Sequence, residues 1–152
     1  MTAQDNVALA RSLLDLYNNR QSDPAWLDKS MAAFAADSEY MDAPSGATLH
    51  GPDGYKRLVL LFKEAFPDGR EELTNAFATK DQVALEAIGR SSNTDPLHLP
   101  TGAIPATERS TELRMCHVFQ IRRRKIVTYH TYYDMMTMLE QFGPDSATGQ
   151  AR

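Results

Sequence analysis

Apolar residues recur at helical spacing in the first part of the chain and alternate with polar residues in the last part. Over residues 3–20 the apolar side chains form one stripe, which predicts an amphipathic helix. Ser22-Asp-Pro24 supplies a capping residue and a proline suited to the first helical position, so a second, shorter helix is expected after it. A third helix follows His50-Gly-Pro-Asp-Gly54 and ends at Pro67, because proline cannot continue the helical hydrogen bonds.

After Pro67 the pattern changes to the period of two that is typical of strands. The predicted strands are residues 70–78, 82–91, 111–122 and 125–133, with a further short strand at 38–42. Short turns join most of these strands, which favours an antiparallel sheet. Helices grouped before such strands indicate an α+β domain in which the helices cover one face of a curved sheet.

The connection formed by residues 93–109 contains three prolines and one glycine. A structureless connection of this length is uncommon and often serves as a binding loop or lid, so such a role is expected here. Residues 1–144 are interpreted as a single domain, and the small, polar residues 145–152 as a flexible C-terminal tail.

The strand at residues 125–133 passes into a predicted helix at Asp134, which is an N-cap residue type. Side chains alternate along a strand, so Thr128, His130, Tyr132 and Asp134 should share one face. We expect this face to line a cavity, which would bring an imidazole, a phenol and a carboxylic acid together. The alternative is that Asp134 only caps the helix and His130 is an ordinary core residue.

Composition restricts the class of protein. The 152 residues are 42% hydrophobic and 24% charged, and their net charge of −4 gives no field that would attract nucleic acid or an anionic membrane. The single cysteine, Cys116, excludes an internal disulfide, and the N-terminal residues lack the apolar region of a signal peptide. We therefore expect a cytoplasmic protein without a nucleic-acid or membrane partner.

Several common chemistries have no support in the sequence. The four histidines are scattered without the i, i+2 or i, i+4 spacing typical of metal sites, so no metal is expected. The basic run Arg122-Arg-Arg-Lys125 falls where two strands must be joined and is interpreted as a solvated turn. The sequence contains neither a glycine-rich phosphate loop nor a Gly-x-Ser-x-Gly nucleophile elbow.

What remains is an acid, Asp134, at the end of a strand beneath the long loop. Desolvation in an apolar cavity would raise the pKa of its carboxyl group towards the range useful for proton transfer beside a carbonyl. Aromatic and methionine side chains of the helices are the candidate substrate-binding lining. They are Tyr17, Trp26, Phe62 and Met138.

The order of elements and several short motifs resemble the SnoaL-like polyketide cyclase family, within the nuclear transport factor two-like or ketosteroid-isomerase-like fold. The motifs are His50-Gly-Pro-Asp-Gly54, Ala65-Phe-Pro-Asp68, Thr101-Gly-Ala-Ile-Pro-Ala-Thr107, Lys125-Ile126, and Tyr133-Asp134 with Leu139-Glu-Gln-Phe-Gly143. The resemblance covers residues 5–143 and implies a cone-shaped α+β barrel with a deep pocket, commonly a homodimer. It also implies cofactor-free intramolecular aldol cyclisation of an aromatic polyketide, with Asp134 as general acid/base.

The chain departs from the family pattern at two positions where members place a histidine. Asn93 and Gln120 stand there, and an amide can hold an oxyanion but cannot exchange a proton near neutral pH. These two residues are therefore expected to bind substrate. Proton transfer would rest on Asp134 alone, or on Asp134 together with His130 and Tyr132.

Two hypotheses follow from these observations. The first is an acid/base enzyme without a cofactor that acts on an apolar carbonyl compound, by aldol cyclisation or by a related isomerisation, dehydration or hydrolysis. The second is a non-catalytic protein that binds a hydrophobic metabolite in the same pocket. In both cases we expect a homodimer through the outer face of the sheet. Strand alternation assigns that face to Val127, Tyr129, Thr131 and Tyr133.

Overall fold

The computed structural model describes residues 2–92, 94, 96–99, 102–106 and 109–142. The helices in this part of the chain are α1 (Ala3–Asn18), α2 (Trp26–Met31), α3 (Gly51–Ala65) and α4 (Met135–Phe142). The strands are β1 (Phe34–Asp42), β2 (Ala47–His50), β3 (Arg70–Ala78), β4 (Gln82–Ser92), β5 (Leu97–Leu99), β6 (Gly102–Ile104), β7 (Ser110–Arg122) and β8 (Lys125–Tyr133). The predicted α+β class is confirmed, whereas the predicted tail at 145–152 lies outside the described residues.

The boundaries differ from the sequence prediction in a few places. Helix α2 ends at Met31, and Phe34, which follows Met31 at helical spacing, begins β1 instead. Because Phe34 pairs with Ile126 of β8, sheet pairing overrides its local helical spacing. The predicted short strand at 38–42 is the second half of β1, and β1 turns back on an additional strand, β2. Part of the expected irregular connection forms a hairpin of β5 and β6.

The main sheet has six strands in the order β2-β1-β8-β7-β4-β3. Neighbouring strands are antiparallel except for β1 and β8, which are parallel. The expectation of a purely antiparallel sheet is therefore wrong at this pair. These two strands are far apart along the chain, so no hairpin turn dictates their relative direction. Their pairing places Asp42 of β1 beside Thr131 of β8.

The core lies between the helices and one face of the main sheet. Helix α1 packs against β3 and β4, and α3 packs against β1. An aromatic cluster centres on Tyr129 of β8, whose ring centroid lies 4.6 Å from that of Tyr40 and 4.5 Å from that of Phe119. On α3, the ring of Tyr55 stacks on Phe34 at 4.5 Å. Aromatic pairs in this range stabilise a core beyond the area they bury, so this cluster fixes α3 over the sheet.

The predicted turn between β7 and β8 is confirmed. It consists of Arg123 and Arg124, which are exposed and have positive φ angles of 52° and 63°. Two-residue hairpin turns with both φ angles positive favour asparagine and glycine, because the Cβ atom of other residues crowds the backbone in this region. The hairpin is therefore closed by a strained backbone at the surface.

None of the described helices is both long enough and apolar enough to cross a membrane.

Candidate active site

A cavity of about 120 Å³ lies between the helices and the inner face of the main sheet. A buried water needs roughly 10–15 Å³ of such space, so the cavity is far larger than one water requires. Most of its wall is apolar or aromatic. This part includes Leu13, Tyr17, Val59, Phe62, Phe66, Leu113, Met115 and Met138. Polar side chains interrupt the wall in two clusters, one around Asp42 and one around His117.

Asp42, at the end of β1, lines the cavity and is 1% exposed. Its Oδ2 atom accepts a hydrogen bond from the Ser45 hydroxyl and another, at 3.1 Å, from the Tyr133 hydroxyl. These two bonds to one oxygen orient the carboxyl group.

Burial raises the pKa of Asp42 above that of an ordinary aspartate, and the hydrogen bonds from Ser45 and Tyr133 act in the opposite direction. Burial, followed by the neighbouring Asp42, also raises the pKa of Tyr133. Burial therefore shifts the equilibrium of Asp42 towards its acid form, and Tyr133 keeps its proton as a hydrogen-bond donor. A neutral carboxyl group in such a wall can donate a hydrogen bond or a proton to an oxygen atom of a ligand.

His117 of β7 is the centre of the second cluster, and it is 1% exposed. Its Nε2 atom lies 2.5 Å from Oε1 of Glu71, and its Nδ1 atom lies 2.8 Å from Oγ1 of Thr131. The hydroxyl of Tyr129 approaches Nδ1 at 3.3 Å. A carboxylate only accepts hydrogen bonds, so Nε2 carries a hydrogen towards Glu71, and Nδ1 contacts the two hydroxyl groups. The imidazole is thus held from both sides.

The register of the sheet links the two clusters. Thr131 of β8 pairs with Asp42 on one side and with His117 on the other. Since neighbouring strands lie about 4.8 Å apart, the backbones of Asp42 and His117 are separated by about 10 Å across the sheet. A carboxyl group and an imidazole therefore line one cavity, with Thr131 between them.

The mouth of the cavity is polar and carries paired charges. Arg90 of β4 donates to Oε1 of Glu72 at 2.6 Å and to Oε2 of Glu112 at 3.0 Å. Asp68 accepts a hydrogen bond from the backbone N–H of Ser92 at 2.8 Å. These groups stabilise the rim by binding one another. Within the described ranges, no three His, Cys, Asp or Glu side chains come together in a way that could hold a metal ion.

The predicted alternation along β8 is correct, but the predicted inner face is wrong. Thr131 and Tyr133 line the cavity, whereas His130 and Tyr132 do not. His130 instead binds Glu39 on the outer face, with 2.7 Å between Nε2 and Oε2, and Tyr132 is 43% exposed. Alternation groups side chains into two sets but does not decide which set the helices cover.

Asp134 is exposed and is not part of the cavity wall. Its carboxylate accepts hydrogen bonds from the Thr137 hydroxyl at 2.7 Å and from the Met136 backbone N–H at 3.0 Å, as an N-cap residue does. Both bonds lower the pKa of Asp134, and the bond from Thr137 has the larger effect. The expectation of a cavity position with a raised pKa is therefore wrong, and the capping alternative is confirmed.

Three of the four predicted lining residues from the helices do line the cavity, namely Tyr17, Phe62 and Met138. Burial raises the pKa of the Tyr17 hydroxyl to about 12, so it remains a donor. The fourth residue, Trp26, is buried beside Tyr17, with the two ring centroids 5.8 Å apart in an edge-on arrangement. Trp26 therefore supports the wall from behind.

The two amides predicted to bind substrate are not found at the cavity. Gln120 is absent from the cavity wall, because its neighbour Phe119 occupies the inner position in this part of β7 and Gln120 lies on the opposite face. Asn93 lies outside the described residues.

Sequence reasoning did not identify Asp42, Glu71 or His117 as site residues. For His117 a signal exists, because it interrupts an otherwise apolar alternating set on one strand face. The set is Leu113, Met115, Phe119 and Ile121. A polar residue on such a face is the informative exception. Asp42 and Glu71 lie on strands distant in sequence from β7 and β8, so only tertiary structure brings them to the same cavity.

Helices followed by a curved mixed sheet are the nuclear transport factor two-like or ketosteroid-isomerase-like fold. The SnoaL-like polyketide cyclase family profile matches residues 8–142, and the chain belongs to this family. The family resemblance of the sequence motifs is thereby confirmed. A comparison with curated proteins gives no significant match.

Solved structures share the fold at low sequence identity. A SnoaL-like candidate polyketide cyclase from Jannaschia sp. CCS1 superposes with a TM-score of 0.79 at 13% identity, over 92% of both chains. A candidate polyketide cyclase from Xanthomonas campestris pv. campestris gives 0.72 at 18% identity, over 93% of this chain and 98% of the other. A Catenulispora acidiphila protein with a ketosteroid isomerase-like fold, in complex with trimethylamine, superposes with a TM-score of 0.68 at 19% identity. The match covers 91% of this chain and 97% of the other. At these identities the likeness establishes the fold.

Proposed function

We propose that the protein is an acid/base enzyme, needing no cofactor, that acts on an apolar carbonyl compound held in the cavity. The observation that carries this proposal is the carboxyl group of Asp42, which is 1% exposed in an aromatic wall and bound by the Tyr133 hydroxyl at 3.1 Å. An ionised carboxylate is costly in such surroundings, so burial shifts Asp42 towards the neutral acid that the proposal requires.

The chemistry assigned to Asp42 follows from its two oxygen atoms. Oδ2 accepts from Ser45 and Tyr133, so the acidic hydrogen belongs on Oδ1. A carbonyl oxygen of a ligand beside Oδ1 would accept this hydrogen as negative charge develops on it. Stabilisation of an enol or enolate is the common step of aldol cyclisation and of isomerisation next to a carbonyl group.

The cavity lining supports an apolar and aromatic substrate. Aromatic, aliphatic and methionine side chains make up most of the wall, and they favour a ligand that buries apolar surface. Membership of the SnoaL-like polyketide cyclase family is consistent with this class of compound. So are the names of the Jannaschia and Xanthomonas proteins, both of which are described as candidate polyketide cyclases.

A test uses 1-indanone, a compact aryl ketone, as the probe. The wild-type protein should catalyse exchange of its α-hydrogens for deuterium in D₂O, measured by proton NMR. Asp42→Asn keeps the shape of the side chain but removes the acidic proton, and the exchange rate should fall by about 10²–10⁴-fold. Asp37→Asn is the matched control, because Asp37 lies on the same strand and is exposed.

Each result of this test has a defined meaning. Exchange by Asp42→Asn at the wild-type rate would contradict the role of Asp42. Saturable binding of 1-indanone by the wild-type protein without any exchange would contradict catalysis and favour the non-catalytic binding protein. The control should exchange at the wild-type rate.

A further inference from the structure

We propose that Glu71 is the base that removes a proton from the substrate carbon, and that His117 and Thr131 position its carboxylate. This inference rests on the proposed function, in which Asp42 is the acid at the carbonyl oxygen. It adds the second group that enolisation requires, because a proton must leave carbon while the oxygen is stabilised.

The hydrogen bonds decide which member of the cluster meets the ligand. Both nitrogen atoms of His117 are occupied, Nε2 by Glu71 and Nδ1 by Thr131, and the residue is 1% exposed. The side chain of Glu71 is 22% exposed and lines both the cavity and its mouth. His117 uses only Oε1 of Glu71, so Oε2 is the oxygen that can accept a proton.

The strand geometry explains how Glu71 reaches this position. Glu71 pairs with Gly89 of the neighbouring strand β4, and a methyl group added at Gly89 would lie 3.1 Å from Sδ of Met115 and 4.0 Å from Cγ of Glu71. The added methyl group would therefore crowd Met115, whereas Cγ of Glu71 lies at ordinary contact distance from it. The backbone of Glu71 is held by Asn18 of α1, whose side chain bonds its N–H at 2.9 Å and its C=O at 2.7 Å.

The effect of Glu71 on nearby tyrosines agrees with an inward position. Burial is the main cause of the raised pKa of Tyr129, and the negative charge of Glu71 is the next cause. Glu71 also contributes to the raised pKa of Tyr17, after burial. The charge of Glu71 therefore raises the pKa of a tyrosine on the sheet and of a tyrosine on helix α1, which form two different walls of the cavity.

The proposed step balances in atoms and charge. The α-C–H bond of the ketone breaks, and its proton forms an O–H bond with Oε2 of Glu71. The electron pair of that bond forms the C=C bond of the enol, and the carbonyl π pair becomes an O–H bond with the proton from Asp42. The reverse transfers, with a proton or deuteron from water exchanged onto Glu71, return the labelled ketone. His117 keeps its proton throughout and holds the Oε1 atom.

Glu71→Gln tests the base directly, since the amide retains the size of the side chain but cannot take a proton. Exchange of the α-hydrogens of 1-indanone should fall by about 10²–10⁴-fold in kcat, with KM changed far less. Glu71→Asp keeps a carboxylate and should retain more activity than Glu71→Gln. Glu86→Gln is the matched control, because Glu86 is exposed on the neighbouring strand β4 and lines neither the cavity nor its mouth.

His117 and Thr131 are tested as positioning residues. His117→Gln offers an amide N–H for Glu71 and should keep more activity than His117→Phe, although phenylalanine fills the apolar space better. Thr131→Val removes the hydroxyl at constant shape and should lower kcat by about 10–100-fold. A small displacement of a catalytic group lowers the reaction rate by about this factor. A purely structural role predicts the opposite order of the two His117 variants. Thermal unfolding of each variant verifies that it is folded.

The outcomes separate this inference from the proposed function. Exchange that depends on Asp42 but persists at the wild-type rate in Glu71→Gln would overturn the role of Glu71 alone. A folded His117→Phe variant with more activity than His117→Gln would overturn the positioning role. A wild-type protein that binds 1-indanone without exchange would overturn both proposals.

Discussion

Asp42 and His117 lie in one row of the main sheet, on either side of Thr131. Asp42 belongs to β1 and His117 to β7, and β8 separates the two strands. The parallel pairing of β1 with β8 creates this row. It gives one cavity a buried acid at one position and an imidazole bound to a carboxylate at another, about two strand spacings apart. The proposed division between acid and base rests on this separation.

The pH dependence of stability should report the buried acid. A carboxyl group whose pKa is raised by folding stabilises the folded state below its unfolded pKa and loses this contribution as the pH rises through the folded pKa. Asp42→Asn should therefore gain stability relative to the wild type as the pH rises from about 4 to about 8. Urea unfolding across this range measures the difference. A difference that is constant, or that changes in the opposite direction, would contradict a raised pKa.

Tyr133→Phe should move the titration of Asp42 to higher pH. The Tyr133 hydroxyl donates to Oδ2 of Asp42 and lowers the pKa of that carboxyl group, so its removal leaves the effect of burial less opposed. Carboxyl-carbon NMR of Asp42 would measure the shift. Tyr132→Phe is the control, because Tyr132 lies on the other face of the same strand and should leave this titration unchanged.

Asp134 should matter for stability and not for activity. Asp134→Ala removes the cap of α4 and should lower the midpoint of thermal unfolding, whereas Asp134→Asn keeps a side-chain acceptor and should lower it less. Both variants should exchange the α-hydrogens of 1-indanone at the wild-type rate. A large loss of exchange in a folded Asp134→Asn variant would contradict this prediction and indicate a catalytic role for Asp134.

Replacing the turn Arg123-Arg124 by Asn-Gly should stabilise the protein. Both positions have positive φ, and an ordinary residue in this region costs about 1–2 kcal/mol relative to a right-handed conformation. Relief of part of this strain should raise the free energy of unfolding by about 1 kcal/mol. Urea unfolding at constant pH measures the gain, and an unchanged or lower value would show that the arginines relieve the strain in another way.

A homodimer through the outer sheet face remains a prediction, with different residues from those first expected. Tyr129, Thr131 and Tyr133 face the cavity, so the surface available to a second copy carries Met41, Val118 and the exposed Tyr132 instead. Val118→Lys should convert a dimer into a monomer in sedimentation velocity, because it places a charge in an apolar contact.

The control for this test is Met136→Lys. Met136 is an exposed apolar residue on α4, away from the sheet face, so its replacement should leave the association state unchanged. A wild-type protein that sediments as a monomer at micromolar concentration would contradict the dimer.

The sequence alone determined the elements and their order. Apolar periods located α1, α3 and the four long strands β3, β4, β7 and β8, because each period depends on local backbone geometry. Asp134 could be recognised as a helix cap for the same reason, since capping involves only the next few residues. The lining residues Tyr17, Phe62 and Met138 followed from the apolar stripes of their helices.

Only the tertiary structure decided which groups face the cavity. Alternation divided β8 into two sets of side chains, but the helices that cover Thr131 and Tyr133 come from distant parts of the chain. The parallel pairing that brings Asp42 to Thr131, and the hydrogen bond between Glu71 and His117, likewise join residues far apart in sequence. A local pattern carries no information about such contacts, because long-range packing and not backbone periodicity determines them.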